Sequence, residues 1–187
     1  MKNAQIPILG FAAFSGTGKT TLLTKLIPLL KKSGLRIGLI KHSHHNFEID
    51  KPGKDSYKLR SAGATPLMIV SSHRRAIITD FEHITEPNLD DQLNYFDQSK
   101  LDLILVEGFK AEAFPKIELH RPSLKKKLIF PTDPSVIAIA TDTDIKMTPS
   151  NTDLLVTEIS GLSLPPILDI NEPSHIASFI LNSFLRH

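Results

Sequence analysis

Residues 8–21 of the chain are Ile8-Leu9-Gly10-Phe11-Ala12-Ala13-Phe14-Ser15-Gly16-Thr17-Gly18-Lys19-Thr20-Thr21. An apolar run is followed by a glycine-containing turn, and a Lys-Thr pair then opens an amphipathic segment. This arrangement is typical of the P-loop, a strand-turn-helix motif that binds phosphate and has the pattern G-x-x-x-x-G-K-[ST]. Ala13 stands where that pattern has its first glycine, and alanine fits there provided that its φ angle is not positive.

The residue types of this loop suit a phosphate chain with bound Mg²⁺. Gly16 and Gly18 let the backbone bend so that successive N–H groups point at one anion, and the following helix adds its positive dipole end. Lys19 would reach the β- and γ-phosphates, and the Thr20 hydroxyl would ligate Mg²⁺. The alternative is a plain turn between a strand and a helix, but such a turn has no use for Lys and Thr directly after the second glycine.

The composition predicts an ordinary globular protein, most simply a single domain over residues 1–187. A formal charge of +2 gives no argument for nucleic acid or membrane binding, and we expect the one basic run, 125–127, to be a solvated loop. The absence of cysteine excludes disulfides and thiolate metal sites and fits a cytoplasmic location. No apolar run is long enough to span a membrane, and the N-terminus leads directly into a predicted strand, so we expect no cleaved signal peptide.

Apolar periodicity predicts strands that alternate with helices along the chain. The predicted strands cover 6–14, 35–40, 67–70, 76–80, 101–106, 116–119, 136–140, 154–157 and 167–170. The predicted helices are 19–32, a short helix that Asp55 caps and that runs through 62, a helix that Asn88 could cap, and a terminal helix with 173 in its first turn. Strand 116–119 is polar enough to be expected at an edge of the sheet, and 72–75 is a candidate hairpin turn. The first strand, helix and second strand predict a parallel pair, and the whole pattern predicts a three-layer α/β fold with a mostly parallel sheet.

Glu107 is the best candidate for the second acidic group of a P-loop site. It ends the apolar strand 103–106, which we expect beside the P-loop strand, where its carboxylate would hold Mg²⁺ directly or through water. Gly108 would allow a phosphate to approach the backbone. The alternative is a core strand that happens to end in Glu.

Asp142 follows the late strand at 136–140. A carboxylate at such a strand end can accept two hydrogen bonds from the N1–H and N2–H₂ edge of guanine, which adenine lacks. The lysine that usually precedes this aspartate is absent. These residues therefore predict a preference for guanine, with Asp142 as the candidate that reads the base.

Two polar stretches between the second strand and the second helix are further candidates. His42, His44 and His45 could ligate a transition metal, contact an anion or form a solvated loop. Asp50 and Asp55 flank the segment 51–54, which suits either a mobile loop that meets Mg²⁺ and the γ-phosphate or an ordinary surface loop.

Four segments together resemble a known family. They are Ser15–Leu23, Leu39–His42 with His45, Ile49–Tyr57 and Leu101–Lys110. In this combination they are similar to the molybdopterin-guanine dinucleotide biosynthesis adaptor proteins, the MobB family. The P-loop alone is generic, whereas the three other segments are specific. The similarity runs from the first strand to about Arg121 and resumes weakly at 136–142 and 167–171.

The resemblance implies a P-loop NTPase of the signal-recognition-particle and MinD-like class that binds GTP with Mg²⁺, hydrolyses GTP slowly and forms a homodimer. It implies an accessory protein for the MobA guanylyltransferase, which joins GMP to molybdopterin, and molybdopterin or its guanine dinucleotide as a further ligand. By the resemblance, phosphates would contact Ser15, Gly16, Thr17, Gly18, Lys19, Thr20 and Thr21. Lys19 and Glu107 would serve hydrolysis, and Thr20, Glu107 and Asp50 would serve Mg²⁺. Lys41, His42, His45, Lys54 and Asp55 would face the nucleotide or the partner's product.

Two other classes of protein remain open on the sequence. A P-loop kinase for a small acceptor would need an arginine-rich lid over the phosphates, and Arg74-Arg75 is the one adjacent arginine pair. A metal-insertion GTPase would use the histidines at 42, 44 and 45.

Overall fold

The computed structural model describes residues 1–43, 47–83, 86–143 and 163–186. The chain divides into two compact units, Met1–His42 with Asn88–His187 and Ser43–Pro87. The predicted strand at 154–157 lies outside the described residues, as do His44 and His45. The single-domain interpretation of residues 1–187 stays a prediction.

The larger unit carries most of the regular structure. Within the described ranges, the strands are β1 (Ile8–Ala13), β2 (Ile37–Lys41), β3 (Leu67–Val70), β4 (Arg75–Ile78), β5 (Leu103–Glu107), β6 (Lys116–His120), β7 (Val136–Thr141) and β8 (Ile167–Asp169). The α-helices in the same ranges are α1 (Lys19–Lys32), α2 (Asp55–Ser61), α3 (Leu89–Gln92) and α4 (Pro173–Phe179). Short 3₁₀ turns lie at Leu93–Tyr95, Gln98–Lys100, Pro122–Leu124 and Phe130–Thr132, and a π-helical turn at Ile180–Phe184 continues α4.

Six strands form a sheet in the order β2-β5-β1-β6-β7-β8, and each of their pairings is parallel. Leu22 and Leu26 of α1 and Ile176 of α4 share a buried cluster with Leu9 and Leu105. A second buried cluster joins α3 and its following turn to Ile8, Ile104 and Val106. Since neighbouring strand residues point to opposite faces, helices cover both faces of the sheet. The predicted three-layer α/β fold with a mostly parallel sheet is confirmed.

The strand order corrects one prediction. The first strand–helix–strand unit gives strands that run parallel, but β5 lies between β1 and β2. The prediction that β5 lies beside the P-loop strand is confirmed, since Ile8 is aligned with Ile104.

A second prediction was wrong: β6 is internal, between β1 and β7, and all five of its residues are buried. Two of its polar side chains, those of Lys116 and Glu118, are tolerated there because they have specific partners. Lys116 Nζ donates to Asp133 Oδ2 at 2.9 Å and to Ser135 Oγ at 2.7 Å. The two oxygens of Glu118 accept the backbone N–H groups of Ile129 and Phe130, both at 2.8 Å.

Helix α1 has the predicted bounds, Lys19–Lys32. Pro28 removes one backbone donor but does not end the helix, which continues for another turn. The buried positions Leu22, Leu23, Leu26 and Leu30 recur at helical spacing and form its inner face. Among the described residues, we find no helix with both the length and the apolar character that a membrane crossing requires.

The smaller unit consists of α2 and the antiparallel hairpin β3–β4, with Leu67 opposite Ile78, which confirms the predicted hairpin. Arg60 of α2 joins three carboxylates of this unit, since its guanidinium lies 2.5 Å from Glu48 Oε2, 3.2 Å from Asp50 Oδ1 and 3.4 Å from Asp80 Oδ1. These ion pairs connect the helix to segments on both sides of it in the sequence.

Candidate nucleotide-binding site

The loop between β1 and α1 has the backbone that its glycines predict. Gly16 has φ 83° and Gly18 has φ 94°, a region that side chains with a Cβ rarely adopt. The non-glycine residues with positive φ in the described chain are Phe109 and Lys125, so Ala13 meets the condition on its φ angle. The Thr17 hydroxyl donates to the Phe14 carbonyl at 2.8 Å and closes the turn from within.

This loop forms the wall of a pocket of about 350 Å³. The pocket is lined by Phe14, Ser15, Gly16, Thr17, Gly18, Lys19, Thr20, Thr21 and Glu107. Gly18 holds the N-cap position of α1, and no side chain caps the helix there. Because the first N–H groups of a helix have no partner within it, these donors suit an anion in the pocket. The structure therefore brings all seven predicted phosphate-contacting residues together with Glu107.

Glu107 ends β5 and is shared by two lysines. Its Oε1 lies 3.6 Å from Lys19 Nζ, and its Oε2 lies 3.4 Å from Lys41 Nζ. Lys41 is aligned with Glu107 across the β2–β5 pair, which explains why both side chains lie at the C-terminal end of the sheet. The Glu107 side chain is 13% exposed, so the carboxylate lies partly out of water, where its interaction with cations is stronger.

His42 lies directly beside this carboxylate-bearing strand. Its backbone N–H donates to the Glu107 carbonyl at 2.8 Å, and its ring stacks on Phe109 with centroids 4.6 Å apart. Gly108 has φ 105°, and a Cβ on it would lie 2.5 Å from the His42 Cβ. In the structure Gly108 therefore accommodates His42, and a side chain at this position would displace it.

On the other side of the loop, Arg121 joins three segments that follow strand ends. Its Nη1 donates to Asp142 Oδ2 at 2.5 Å, its Nε to the Thr17 carbonyl at 3.0 Å and its Nη2 to Asn171 Oδ1 at 3.1 Å. A pocket of about 260 Å³ adjoins them and is also lined by Gly18, Thr21, Leu22, Lys25, Ile170 and Pro173. Sequence reasoning missed Arg121, and its one local signal is its position directly after a strand.

This contact bears on Asp142, the predicted guanine-reading residue. One of its carboxylate oxygens accepts from Arg121, and the other accepts from the Thr143 hydroxyl at 3.3 Å. A guanine edge would have to share these oxygens or replace their present partners. The role of Asp142 in base recognition stays a prediction.

Three predicted residues lie in the smaller unit. Asp50 Oδ1 pairs with Arg60, while its Oδ2 is buried without a hydrogen-bond partner among the described residues. Lys54 holds the N-cap position of α2, and Asp55 is its first residue, 3.7 Å from Lys58 Nζ. The expectation that Asp55 caps α2 was wrong, because it lies inside the first turn. The roles of Asp50, Lys54 and Asp55 toward a nucleotide, Mg²⁺ or partner stay predictions.

Within the described ranges, no group of three or more His, Asp or Glu side chains could hold a metal ion. Two of the three histidines of the predicted metal cluster, His44 and His45, fall outside those ranges. The same holds for the predicted contact of His45 with a nucleotide or product.

Comparison with known proteins gives consistent matches. The family model described as molybdopterin guanine dinucleotide synthesis protein B matches residues 8–142. The molybdopterin-guanine dinucleotide biosynthesis adapter protein of Escherichia coli K12 is 46% identical over 182 residues, which cover 94% of this chain and 92% of that protein. The protein of the same name from Haemophilus influenzae is 42% identical over 185 residues, or 99% of this chain and 93% of that protein.

Solved structures agree with these matches. A crystal structure of molybdopterin-guanine biosynthesis protein B superposes with a TM-score of 0.67 at 25% identity and covers 96% of this chain and 99% of that chain. HypB from Helicobacter pylori, solved in complex with nickel, has a TM-score of 0.51 at 17% identity over 99% of this chain and 89% of its own, a similarity of fold alone. The family that the sequence motifs indicated is thereby confirmed. The chain belongs to the molybdopterin guanine dinucleotide synthesis protein B family, MobB.

Proposed function

We propose that this protein is an accessory protein in the synthesis of molybdopterin guanine dinucleotide, which binds GTP with Mg²⁺ and assists the MobA guanylyltransferase. The observation that carries the nucleotide site is the uncapped start of α1 behind a loop whose Gly16 and Gly18 have positive φ, with Lys19 and Glu107 at its mouth. The names of the relatives, which are adapter proteins of this biosynthesis, support the pathway.

The donor groups of this site fit a nucleotide with its metal ion. The N–H groups at the start of α1 and Lys19 would hold phosphate oxygens, and the Thr20 hydroxyl with the Glu107 carboxylate would hold Mg²⁺ through hard oxygen ligands. Bound Mg²⁺ would neutralise phosphate charge. Lys41 would then compensate the charge of Glu107 from the side of β2.

Hydrolysis by this site should be slow. Rapid phosphoryl transfer usually needs a glutamine or arginine that positions water or neutralises the transition state. Arg121 approaches the loop, but all three of its donor nitrogens are bonded to Thr17, Asp142 and Asn171. The site therefore suits a GTP-responsive adaptor better than it suits a fast GTPase.

Calorimetric titration of GTP and ATP, each with and without Mg²⁺, tests the proposal. We expect GTP to bind in a Mg²⁺-dependent way and ATP to bind at least about tenfold more weakly, a free-energy difference of about 1.4 kcal/mol. The Thr20→Val variant removes the hydroxyl at nearly constant shape, so it should lose the Mg²⁺ dependence and keep residual GTP binding. ATP binding as tight as GTP binding would contradict the proposal and favour the kinase alternative.

The proposed partners need separate measurements. Immobilised MobA should retain the protein, and a loss of retention in the Lys19→Ala variant would connect docking to the nucleotide. Sedimentation equilibrium should give twice the mass of one chain if the protein is a homodimer. Equilibrium dialysis with Ni²⁺ and Zn²⁺, against a variant with His42, His44 and His45 changed to Ala, tests the metal-insertion alternative. A cytoplasmic location would be consistent with these roles.

A further inference from the structure

Two lysines from separate segments meet at one aromatic ring beside the candidate nucleotide site. The ammonium group of Lys110 lies 5.4 Å from the centroid of the Phe14 ring, and that of Lys126 lies 5.9 Å from it. Phe14 opens the loop between β1 and α1, lines the pocket there and is 37% exposed. Lys110 follows β5 by three residues, whereas Lys126 belongs to the segment between β6 and β7. The run 125–127 is exposed throughout, as predicted, and its middle lysine lies near the ring of a residue that lines the pocket.

The charges at this point of the surface are not balanced. Glu107 pairs with Lys19 and Lys41. Neither Lys110 nor Lys126 has a carboxylate oxygen within 4.0 Å among the residues that the structure describes. Burial, together with the nearby charge of Lys19, lowers the pKa of Lys110.

A contact between an ammonium group and an exposed phenyl ring is weak, so it does not account for bringing the two lysines to one place. An anion between them would remove the repulsion and give each lysine a charge-assisted hydrogen bond. The ring would hold the two stems apart and exclude water from one side of the anion. Lysine is suited to this role because its three donors turn freely toward phosphate oxygens.

We propose that Phe14, Lys110 and Lys126 form an anion subsite beside the loop, and that this subsite binds a phosphoryl group. This inference rests on nucleotide binding at the loop, as proposed above. The phosphoryl group has two chemical sources, the terminal phosphate of the bound nucleotide or a phosphate of a second ligand that binds next to it.

The test uses three variants, Lys110→Gln, Lys126→Gln and the double variant that carries both changes. Each is compared with a control variant, Lys125→Gln. The control removes the same charge one residue away, from a lysine that does not contact the ring. Calorimetry would measure GTP, GDP and inorganic pyrophosphate, the last added to protein already loaded with GDP. All four variants change exposed side chains, and circular dichroism and thermal unfolding would verify that each remains folded.

We expect the double variant to lose about tenfold in affinity in one of these titrations, since hydrogen bonds to charged groups are the strong ones. The Lys125→Gln control should stay at the wild-type value. A loss for GTP but not for GDP assigns the subsite to the terminal phosphate. A loss confined to pyrophosphate on the GDP-loaded protein assigns it to a second ligand. Phe14→Leu, which keeps apolar bulk but removes the ring, should lower the affinity measured in the same titration.

Wild-type affinities for all three ligands in the double variant would overturn the subsite and leave nucleotide binding intact. A wild-type protein that binds neither GTP nor GDP would overturn the proposed function and this inference together.

Discussion

At the scale of single residues, Glu107 shows how the site is held before a ligand enters. Its carboxylate lies 3.6 Å from Lys19 Nζ and 3.4 Å from Lys41 Nζ, so the lysine that would hold phosphate is already paired. A nucleotide with Mg²⁺ would exchange this pair for stronger contacts on both sides, because the metal ion takes the carboxylate and the phosphates take the lysine. The affinity then depends on Lys19 much more than on lysines elsewhere on α1.

Replacing Lys19 by Ala should reduce nucleotide affinity by at least about tenfold, because one charge-assisted hydrogen bond and one positive charge are lost. The fold should remain, since the residue lies at the start of α1 and points into a pocket. Calorimetry gives the affinity, and circular dichroism gives the fold. Lys32→Ala, at the last turn of the same helix, is the control and should bind as the wild type does. An unchanged affinity in Lys19→Ala would remove the P-loop assignment.

Replacing Asp142 by Asn should reduce the preference for GTP over ATP, because the amide offers one acceptor and a donor where guanine needs two acceptors. The companion variant Arg121→Gln breaks the ion pair and the contact with the Thr17 carbonyl but leaves the Asp142 carboxylate in place. It should therefore lower the affinities for GTP and ATP by similar factors. Competition titrations measure both ratios. A preference that survives in Asp142→Asn means that another residue reads the base.

At the scale of elements, β6 shows how an internal strand can carry charged residues. Lys116, Glu118 and His120 alternate with the apolar Ile117 and Leu119, which belong to the cluster under α1. Glu118 accepts two backbone N–H groups from the segment that leads to the turn at Phe130–Thr132. The strand thus orders that segment, and Arg121 at its end connects it to the candidate site.

The Glu118→Gln variant should lower the free energy of unfolding by about 1–3 kcal/mol, because the amide nitrogen cannot accept one of the two N–H groups and leaves a buried donor unpaired. Chemical denaturation gives this difference. Glu82→Gln, an exposed change of the same type, should be neutral. Equal stability of the two variants would mean that water accepts hydrogen bonds from the backbone N–H groups of Ile129 and Phe130 as well as Glu118 does.

At the scale of the whole molecule, the candidate site follows from the parallel sheet. The described strands of the larger unit all run the same way, so the segments after β1, β2, β5, β6, β7 and β8 lie at the C-terminal end of the sheet. At the N-terminal end of the sheet, Arg36 and Asp102 connect the starts of β2 and β5. The guanidinium donates to both carboxylate oxygens, with Nη2–Oδ1 at 2.8 Å and Nε–Oδ2 at 3.0 Å.

The hydrogen bond from the Arg36 side chain lowers the pKa of Asp102 to about 2. Because the unfolded chain has a value of about 3.9, the pair stabilises the protein above roughly pH 4 and loses this effect as the pH falls through 2. In acid titrations followed by circular dichroism, Asp102→Asn should therefore be less stable than the wild type at neutral pH. The difference should shrink below about pH 3. A constant difference across this range would show that the ion pair does not contribute.

What could be predicted from the sequence was local. The glycines at 16 and 18 require positive φ, and leucines at helical spacing require one buried face, so the loop and the bounds of α1 follow from neighbouring residues. Glu107 could be placed beside β1 because an apolar strand that ends in an acid is itself a local pattern. Two predictions were wrong, namely the edge position of β6 and the adjacency of β1 and β2. Both concern the order of strands in the sheet, which depends on which faces pack together.

The sequence by itself thus determined the P-loop motif between β1 and α1, the family and the alternation of strands and helices, since each depends on residues close together in the chain. Only the tertiary structure decided that Arg121 bonds to Asp142 and Asn171 and that Lys110 and Lys126 share the ring of Phe14. The physical reason is that these partners lie on different connections of a parallel sheet. Their meeting depends on strand order and packing, which spacing along the chain does not record.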